Sequence, residues 1–348
     1  MSDMSSKAVR VAVDGMGGDY APQEIVKGAI QAAREDGPEI ILVGSEDAIR
    51  GELQQYDTSG VSISVVNAGE TIREGESPVA ALRVKSDASI LVATRMVKEG
   101  RADAVVSMGY TGAVMVSAIE ILGKLEGIKR PTVGGLFCGF APTTVLFDMG
   151  SSADCRPRDL LSFAVVGSVV ARKMLHIANP TVALLSNGSE EGKGNLLVKK
   201  ASPLFRGSHL NFIGNIEGHD IPFGKANVVV CDGFTGNVLT KFCEGLGEAV
   251  IEQLRATLGE QLPGEQIETL ANNLFAMTHT AEGGGTIFGV DGVVVVGHGG
   301  SKAPQVARAI HLAKTAAESN LVEAIKLELG KVKEIEDESL MAPSHDQS

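Results

Sequence analysis

The stretch Val228–Val238, VVVCDGFTGNV, joins a short apolar run to a polar turn that contains two glycines. Three consecutive valines are typical of a strand that is buried on both faces of a parallel sheet. The turn opens a helical pattern over Gly236–Leu258. The stretch therefore predicts a strand, a turn and a helix in succession, which is the repeating unit of an α/β fold.

The same alternation extends in both directions along the chain. Apolar runs rich in Val, Ile and Leu predict strands at Val9–Val13, Glu39–Val43, Val61–Val66, Ala102–Ser107, Thr132–Phe137, Thr144–Phe147, Thr181–Leu185, Asn211–Ile216, Asn227–Cys231 and Val293–Val296. Helical spacing predicts helices at Pro22–Arg34, Glu46–Gln55, Pro78–Glu99 (one helix or two), Thr111–Leu125, Arg158–Leu175, Glu190–Phe205 and Ala303–Leu329. We predict an open, doubly wound, mostly parallel sheet flanked by helices.

The length of the chain predicts its domain organisation. With 348 residues it is long for a single core, and we expect two lobes within residues 1–330. The segment Glu248–Thr280 contains Pro263 and spaced apolar residues. It predicts a helical hairpin that protrudes from the sheet; an amphipathic pair packed on its own domain is the alternative. Residues 331–348 are polar and acidic, and we expect a frayed tail there.

Composition excludes several classes of function. A net charge of −12 is unlike that of a protein that binds nucleic acid phosphates, and it disfavours broad attachment to anionic lipid. The four cysteines lack the C-x-x-C spacing of zinc or redox sites, so we expect reduced thiols. The first residues contain no apolar stretch of signal-peptide length. Together these features predict a cytoplasmic protein.

Ligands of open parallel sheets bind beyond the carboxyl ends of the strands, so the loops after predicted strands supply the candidate site residues. The first loop is glycine-rich but lacks the third glycine of a dinucleotide fingerprint; it is a candidate for binding a small anion or a simple tight turn. Its candidate residues are Asp14, Gly17, Gly18 and Asp19. In the loop after Ala102–Ser107, Thr111 is a candidate phosphate ligand or a helix cap.

Three loops in the second half of the chain carry further candidates. Lys193 and Asn195 follow the strand Thr181–Leu185, where the spacing does not fit a nucleotide phosphate loop and Lys193 is a point charge or a solvated side chain. Asn215 lies next to the last residue of the following predicted strand, Asn211–Ile216. The turn after Asn227–Cys231 is an anion site or a well-capped helix. Its candidate residues are Asp232, Thr235, Gly236 and Asn237.

The last loop, Gly297–Ser301, contains His298. A histidine in a glycine-rich loop after a strand is either a structural residue or an acid–base catalyst. No serine stands in a G-x-S-x-G motif, and no cysteine has a histidine partner close in sequence. A covalent acyl-enzyme is therefore not indicated, and the loops suit the binding of a phosphate, which is itself a nucleophile.

Taken together, the loops resemble the bacterial phosphate acyltransferase family from about Val9 to Leu329. The matching motifs are DGMGGDYAP at 14–22, GYTGAVM at 109–115, GSEEGKGN at 188–195, NFIGNIEGHDIP at 211–222, VVVCDGFTGNV at 228–238 and GVDGVVVVGHGGS at 289–301. The resemblance implies a fold similar to phosphotransacetylases and isocitrate/isopropylmalate dehydrogenases. It also implies a homodimer, no metal or cofactor, and transfer of a fatty acyl group from acyl carrier protein to inorganic phosphate. A downstream membrane glycerol-phosphate acyltransferase is a further candidate partner.

For that reaction the site must hold phosphate and stabilise the developing oxyanion. The candidates for holding phosphate are Lys193, Thr235, Asn237 and the N–H groups around Gly236. Asn215 or His298 is a candidate for the thioester carbonyl, and His298 is alternatively the acid that protonates the leaving thiolate. The sequence does not rank these roles. The competing functions are a phosphotransacetylase that uses a CoA thioester and a scaffold that recruits a membrane acyltransferase.

The chain departs from the family pattern in three places. Tyr110 stands where many members have Asn, and the segment 148–152 reads Asp-Met-Gly-Ser-Ser where many have Asp-Val-Gly-Ala-Asn. The hairpin segment is rich in glutamate, whereas relatives use a more basic apolar hairpin at the membrane surface. We therefore expect at most weak, peripheral association with membranes.

Overall fold

A computed structural model describes residues 8–35, 37–259, 261–279 and 284–341, without the side chains of residues 332–341. The described residues form eleven strands: β1 (Arg10–Asp14), β2 (Glu39–Gly44), β3 (Ile63–Asn67), β4 (Ala104–Ser107), β5 (Thr132–Leu136), β6 (Val145–Phe147), β7 (Thr181–Leu185), β8 (Asn211–Ile216), β9 (Val228–Val230), β10 (Gly285–Phe288) and β11 (Val293–Val296). Each predicted strand is present within two residues at either end. β10 was not predicted, because four residues are too few to show an alternating pattern.

The α-helices among the described residues are α1 (Gln23–Arg34), α2 (Glu46–Leu53), α3 (Pro78–Val84), α4 (Ser89–Lys98), α5 (Thr111–Ser117), α6 (Pro157–Met174), α7 (Leu196–Arg206), α8 (Gly233–Leu258), α9 (Gly264–Thr278), α10 (Ala303–Glu318) and α11 (Leu321–Met341). A π-helical turn over Ala118–Leu122 follows α5, and a 3₁₀ helix covers Gly218–Phe223. The chain divides into two compact units.

The first unit comprises Met1–Lys124 and Ala281–Val322. Its strands lie in the order β3-β2-β1-β4-β11-β10, and every neighbouring pair is parallel except β10 with β11. Helix α1 packs closely on α10 because Gly28 has no side chain: a Cβ there would lie 2.6 Å from the Val306 Cβ. The central strands are buried, and each such Val or Leu stabilises the fold by about 1.5–3 kcal/mol.

The second unit comprises Leu125–Thr280 and Glu323–Ser348. Its strands lie in the order β5-β6-β9-β7-β8, with β5 and β6 antiparallel and the other pairs parallel. Val229 and Ala183 of the two central strands are fully buried. The predicted α/β class with a mostly parallel sheet is therefore confirmed in both units.

Two predicted helices have different limits. Residues 190–195 form a loop, and α7 begins only at Leu196, because Asn195 caps it by accepting a hydrogen bond from the Val198 N–H at 2.9 Å. The pattern predicted as one helix over Ala303–Leu329 is two helices, since Asn320 between them has a left-handed backbone with φ of 50°. Helix α11 continues to Met341, so part of the segment predicted as a tail is helical.

Helices α8 and α9 form the predicted helical hairpin. They pack on each other, and the Arg255 guanidinium bonds the Glu268 carboxylate at 2.7 Å. Glu260 and Thr280, which the prediction included, lie outside the described residues. Within the part of the chain that the structure describes, no helix combines the length and the apolar character needed to cross a bilayer.

Candidate functional site

In the first unit, three loops meet where β1, β4 and β11 end. These strands are parallel neighbours, so their carboxyl ends share one edge. The Asp19 N–H donates to the Gly299 carbonyl at 2.9 Å. Gly17 lies so close to the β4 loop that a Cβ would be 2.8 Å from the Gly109 nitrogen, and Gly18 has a φ of 103°. Glycines at 17 and 18 therefore serve close packing and a left-handed turn.

Asp14 is buried at the end of β1. The Ser107 hydroxyl donates to its carboxylate at 2.7 Å, and the Met16 N–H donates at 3.2 Å. Burial raises the pKa of Asp14, although the Ser107 hydroxyl and the backbone amides favour its ionised form. The carboxylate thus joins the loop after β1 to the end of β4 and is not exposed to a ligand.

The other candidates of the first unit are exposed. Thr111 is the first residue of α5, where Tyr110 is the N-cap residue, so the predicted alternative of Thr111 as the cap is not what the structure has. Asp19 and His298 are also exposed. The carbonyl of His298 accepts a hydrogen bond from the Ser301 N–H at 3.0 Å, which closes the turn before α10.

In the second unit, the loops after β9, β7 and β8 lie side by side at the carboxyl ends of these strands. The three strands are parallel and adjacent in the order β9-β7-β8. Their carboxyl ends therefore bring together the Asp232–Asn237 turn, the 186–195 loop and Asn215.

The turn after β9 is a capped helix start. Asp232 is the N-cap of α8: its carboxylate accepts the Thr235 N–H and the Thr235 hydroxyl, both at 2.9 Å. The Gly236 N–H donates to the Asp232 carbonyl at 3.0 Å. The donors of Thr235 and Gly236 proposed for phosphate are thus already engaged, and the alternative of a well-capped helix describes these residues.

Asn237 follows Thr235 and Gly236 along α8 and differs from them because it is exposed. It faces the 148–152 loop: a Cβ on Gly150 would lie 3.3 Å from the Asn237 Oδ1. Gly236 permits this approach, since any side chain there would overlap the Asp148 carbonyl oxygen. The start of α8 therefore presents one amide beside a buried carboxylate.

Asp148 is the residue that sequence reasoning missed. It is fully buried after β6 and accepts the N–H groups of Gly150 and Ser151, each at 2.9 Å, and the Ser151 hydroxyl at 2.6 Å. Burial raises its pKa, against the effect of these hydrogen bonds. The sequence contains one signal for it: Asp148 comes directly after the predicted strand Thr144–Phe147.

The loop after β7 exposes a cation. Lys193 is exposed, and its stem packs over Gly188, where a Cβ would lie 2.7 Å from the Lys193 Cγ. The Asn187 Oδ1 accepts the Gly194 N–H at 2.9 Å and holds the loop in shape. The loop therefore places the stem of Lys193, while the side chain is exposed to solvent after β7.

Asn215 acts on this loop. Its Nδ2 donates to the Glu190 carbonyl at 3.0 Å, while its Oδ1 and the Ser186 Oγ are buried without a hydrogen-bond partner among the described residues. An unpartnered carbonyl oxygen is an acceptor and repels an oxyanion. The geometry favours Asn215 as a positioning residue for the Lys193 loop over a direct role at the thioester carbonyl.

Comparison with known proteins identifies the family. Residues 9–324 match the family described as "Fatty acid synthesis protein". The chain is 44% identical over 338 residues to the phosphate acyltransferase of Heliobacterium modesticaldum, covering 94% of this chain and all of that protein. It is 44% identical over 331 residues to the phosphate acyltransferase of Gloeobacter violaceus, covering 93% and 97%. The chain belongs to the phosphate acyltransferase family.

The fold is also similar to that of solved structures that carry other names. A phosphotransacetylase from Streptococcus pyogenes has a TM-score of 0.61 at 18% identity, covering 90% of this chain and 95% of that chain. The 4-hydroxythreonine-4-phosphate dehydrogenase of Klebsiella pneumoniae has a TM-score of 0.54 at 13% identity, covering 89% and 100%. At these identities the likeness shows the fold alone, and it agrees with the predicted dehydrogenase-like α/β class.

Two departures from the phosphate acyltransferase pattern have local explanations. The Tyr110 ring lies over Gly112, where a Cβ would be 2.8 Å from the ring. Ser151 supplies the hydroxyl that satisfies Asp148, and the Ser152 carbonyl accepts the Gly233 N–H at 2.8 Å. The Ser151 side chain therefore stabilises the 148–152 loop, and the backbone of Ser152 joins this loop to the start of α8.

The cysteines do not offer a nucleophile to this phosphate acyltransferase fold. All four are free, and Cys231 lies directly before the α8 cap. Burial raises the pKa of Cys231 and raises that of Cys155 to about 12. Both thiols stay protonated at neutral pH. Among the described residues, no group of three or more His, Cys, Asp or Glu side chains is placed to bind a metal ion.

Proposed function

We propose that the chain transfers a fatty acyl group from acyl carrier protein to inorganic phosphate, producing an acyl phosphate for phospholipid synthesis. The proposal extends what the family name states, acyl transfer to phosphate, to a donor and a product. It includes a cytoplasmic homodimer that needs no metal and passes its product to a membrane glycerol-phosphate acyltransferase.

One observation carries the proposal: the carboxyl ends of β9, β7 and β8 expose the ammonium of Lys193 and the side-chain amide of Asn237. The neighbouring groups of Asn195, Asp232 and Thr235 are engaged in helix caps. A cation and a neutral donor at the end of parallel strands suit a phosphate dianion, which accepts hydrogen bonds and carries charge.

The reaction needs no covalent enzyme intermediate. A phosphate oxygen attacks the thioester carbonyl carbon, the tetrahedral oxyanion collapses, the C–S bond breaks, and the carrier thiolate takes a proton. In this mechanism the Lys193 ammonium offsets the negative charge of the phosphate and of the oxyanion that develops on the thioester carbonyl, and Asn237 orients the phosphate. The protonated state of Cys231 and Cys155 supports direct attack by phosphate.

His298 is the proposed acid for the leaving thiolate, since it is exposed and an imidazole can donate a proton to a leaving group. Asp14, Gly17, Gly18, Asp232, Thr235 and Gly236 are proposed to shape the binding loops. Asp19 and Thr111 stay candidate substrate contacts, and Asn195 is proposed to act as the cap that fixes the end of the Lys193 loop.

The test is an assay of the purified protein with acyl-acyl carrier protein and phosphate. We expect equal amounts of acyl phosphate and free carrier thiol, unchanged after treatment with a chelator. Activity with acyl-CoA but not with the carrier thioester would instead identify a phosphotransacetylase. Loss of activity on chelation that a divalent ion restores would contradict the metal-free mechanism.

A further inference from the structure

Helix α7 is basic within an acidic protein. Residues 192–216 contain Lys193, Lys199, Lys200 and Arg206 and no Asp or Glu, although the chain has a net charge of −12. Arg206 pairs with Glu191 at 3.0 Å, whereas the ammonium groups of Lys199 and Lys200 have no carboxylate partner among the described residues. An uncompensated positive surface therefore follows directly after the Lys193 loop.

The exposed side of α7 combines these charges with an apolar residue. Leu196 is 68% exposed, and residues three and four positions further, Lys199 and Lys200, lie on the same side of the helix. The opposite side is buried through Val198, Ala201, Ser202 and Phe205. We call Leu196, Lys199 and Lys200 the α7 face; its exposed leucine makes no contribution to the core of the unit.

A second group of cations in the same unit differs in its pairing. The groove between α6 and α11 is lined by Arg172 and Lys326, but Arg172 bonds Glu328 at 2.8 Å and Lys326 bonds Glu323 at 2.7 Å. Those charges are neutralised locally, so the groove offers less attraction to an acidic partner than the α7 face does.

We propose that the α7 face is the docking surface for the acyl carrier protein, which it recognises through an acidic surface of that partner. This proposal rests on the proposed function, because it supplies the surface that the protein substrate needs. An exposed apolar residue next to charged residues fits a protein interface, which combines apolar contacts with a polar rim. Complementary charges accelerate association and orient the partner.

The position of the face agrees with delivery to the candidate site. Leu196 comes three residues after Lys193, and Lys200 lies only about 6 Å further along the helix axis. A carrier bound to the α7 face therefore holds its thioester arm next to the Lys193 loop. A small thioester without the protein does not use the face.

The test compares two double variants with equal changes of charge. Lys199→Glu/Lys200→Glu reverses the α7 face, and Lys27→Glu/Lys173→Glu reverses two exposed lysines on α1 and α6. With acyl-acyl carrier protein, we expect the first variant to raise KM roughly tenfold or more at low salt, with kcat little changed, and the difference to shrink at high salt. With acyl-pantetheine and phosphate, both variants should match the unmodified protein.

Direct titration of acyl-acyl carrier protein, followed by fluorescence anisotropy, separates docking from catalysis. Weaker binding by the α7 variant alone supports the docking surface even if no acyl phosphate forms, an outcome that would refute only the proposed function. Equal binding by both variants overturns the docking surface. So does a selective loss of binding to anionic vesicles with normal carrier binding, because the face would then contact membranes.

Discussion

Both units place a buried aspartate directly at or after the end of a strand, Asp14 in the first and Asp148 in the second. Each accepts a serine hydroxyl and backbone N–H groups, and burial raises both pKa values. The exposed groups differ: the second unit presents Lys193 and Asn237, whereas the loops of the first present Asp19 and His298. Similar buried carboxylates thus serve as scaffolding in both units, while the exposed side chains distinguish their chemistry.

The largest expected effect comes from removing the cation of the second unit. Lys193→Ala should lower kcat by roughly 10²-fold or more, because one preorganised charge at the transferring group is lost. Lys302→Ala is the control in the first unit, where the ammonium lies over the Tyr20 ring at 5.3 Å. Steady-state kinetics with acyl-acyl carrier protein measure both. An equal loss in the two variants would remove the distinction between the units, and normal kinetics of Lys193→Ala would make it a solvated side chain.

The next effect is on folding of the second unit. Gly236→Ala should destabilise the protein by about 1–3 kcal/mol, since the added methyl group would overlap the Asp148 carbonyl. Gly245→Ala is a matched control within α8, where a Cβ meets nothing within 4 Å. That substitution should stabilise by up to about 1 kcal/mol through helix propensity. If denaturant melts show that the free energy of unfolding changes in the same direction in both variants, the packing argument is contradicted.

The fold could be read from the sequence further than the site could. Runs such as Thr181–Leu185 and Val293–Val296 predicted strands with the observed ends, because burial on both faces requires continuous apolar character. Side-chain pairing across distant segments left no pattern in the sequence. Asp14 and Ser107 are 93 positions apart, and the contact of Gly236 with the Asp148 carbonyl depends on how α8 packs.

The site predictions were limited by the same cause. Sequence placed donors at the turn after β9 but could not tell which were already used. The structure assigns the cap to Asp232, so Thr235 is engaged and Asn237 is exposed. The roles proposed for Lys193, Asn237 and His298 stay predictions for the kinetic tests.

Substitutions of Asn237 and Asp232 distinguish phosphate binding from helix capping at the start of α8. Asn237→Ala should weaken the use of phosphate about tenfold, as expected for one lost hydrogen bond to a charged group, with little change in stability. Asp232→Ala should cost about 1 kcal/mol of stability because it removes the N-cap. The measurements are phosphate titrations and thermal melts. If Asn237→Ala loses stability and keeps its phosphate dependence, the residue is part of the scaffold.

A smaller effect is expected in the pH dependence of stability. A carboxyl whose pKa is raised in the folded state binds its proton more firmly there than in the unfolded chain. Its contribution to the free energy of unfolding therefore falls as pH rises from about 3.9 through the folded pKa. As pH rises through this range, the free energy of unfolding of Asp14→Asn should therefore increase relative to that of the unmodified protein. Glu76, whose pKa is lowered by its hydrogen bond with Lys85, should give the opposite slope on replacement by Gln. If the free energies of unfolding of the variants and of the unmodified protein change with pH in the same way, the directions given for these two pKa values are contradicted.

The smallest expected signal is binding of the α8–α9 hairpin, a feature of the second unit, to anionic vesicles. Its exposed apolar residues include Leu246, Val250, Leu270 and Met277, whereas Ile267 is buried. Glu248, Glu252 and Glu265 add negative charge, and the Arg255 guanidinium is paired with Glu268. Each basic residue near an anionic leaflet contributes about 1 kcal/mol of attraction, and acidic residues oppose it.

Insertion of the exposed apolar side chains must then supply the affinity against this negative charge. Co-sedimentation at physiological salt should therefore recover little protein with anionic vesicles. Leu270→Glu, which charges the exposed face of α9, should leave that fraction unchanged. Strong binding that Leu270→Glu abolishes would make the hairpin a membrane anchor, and the second unit would then combine the phosphate site with the attachment to the bilayer.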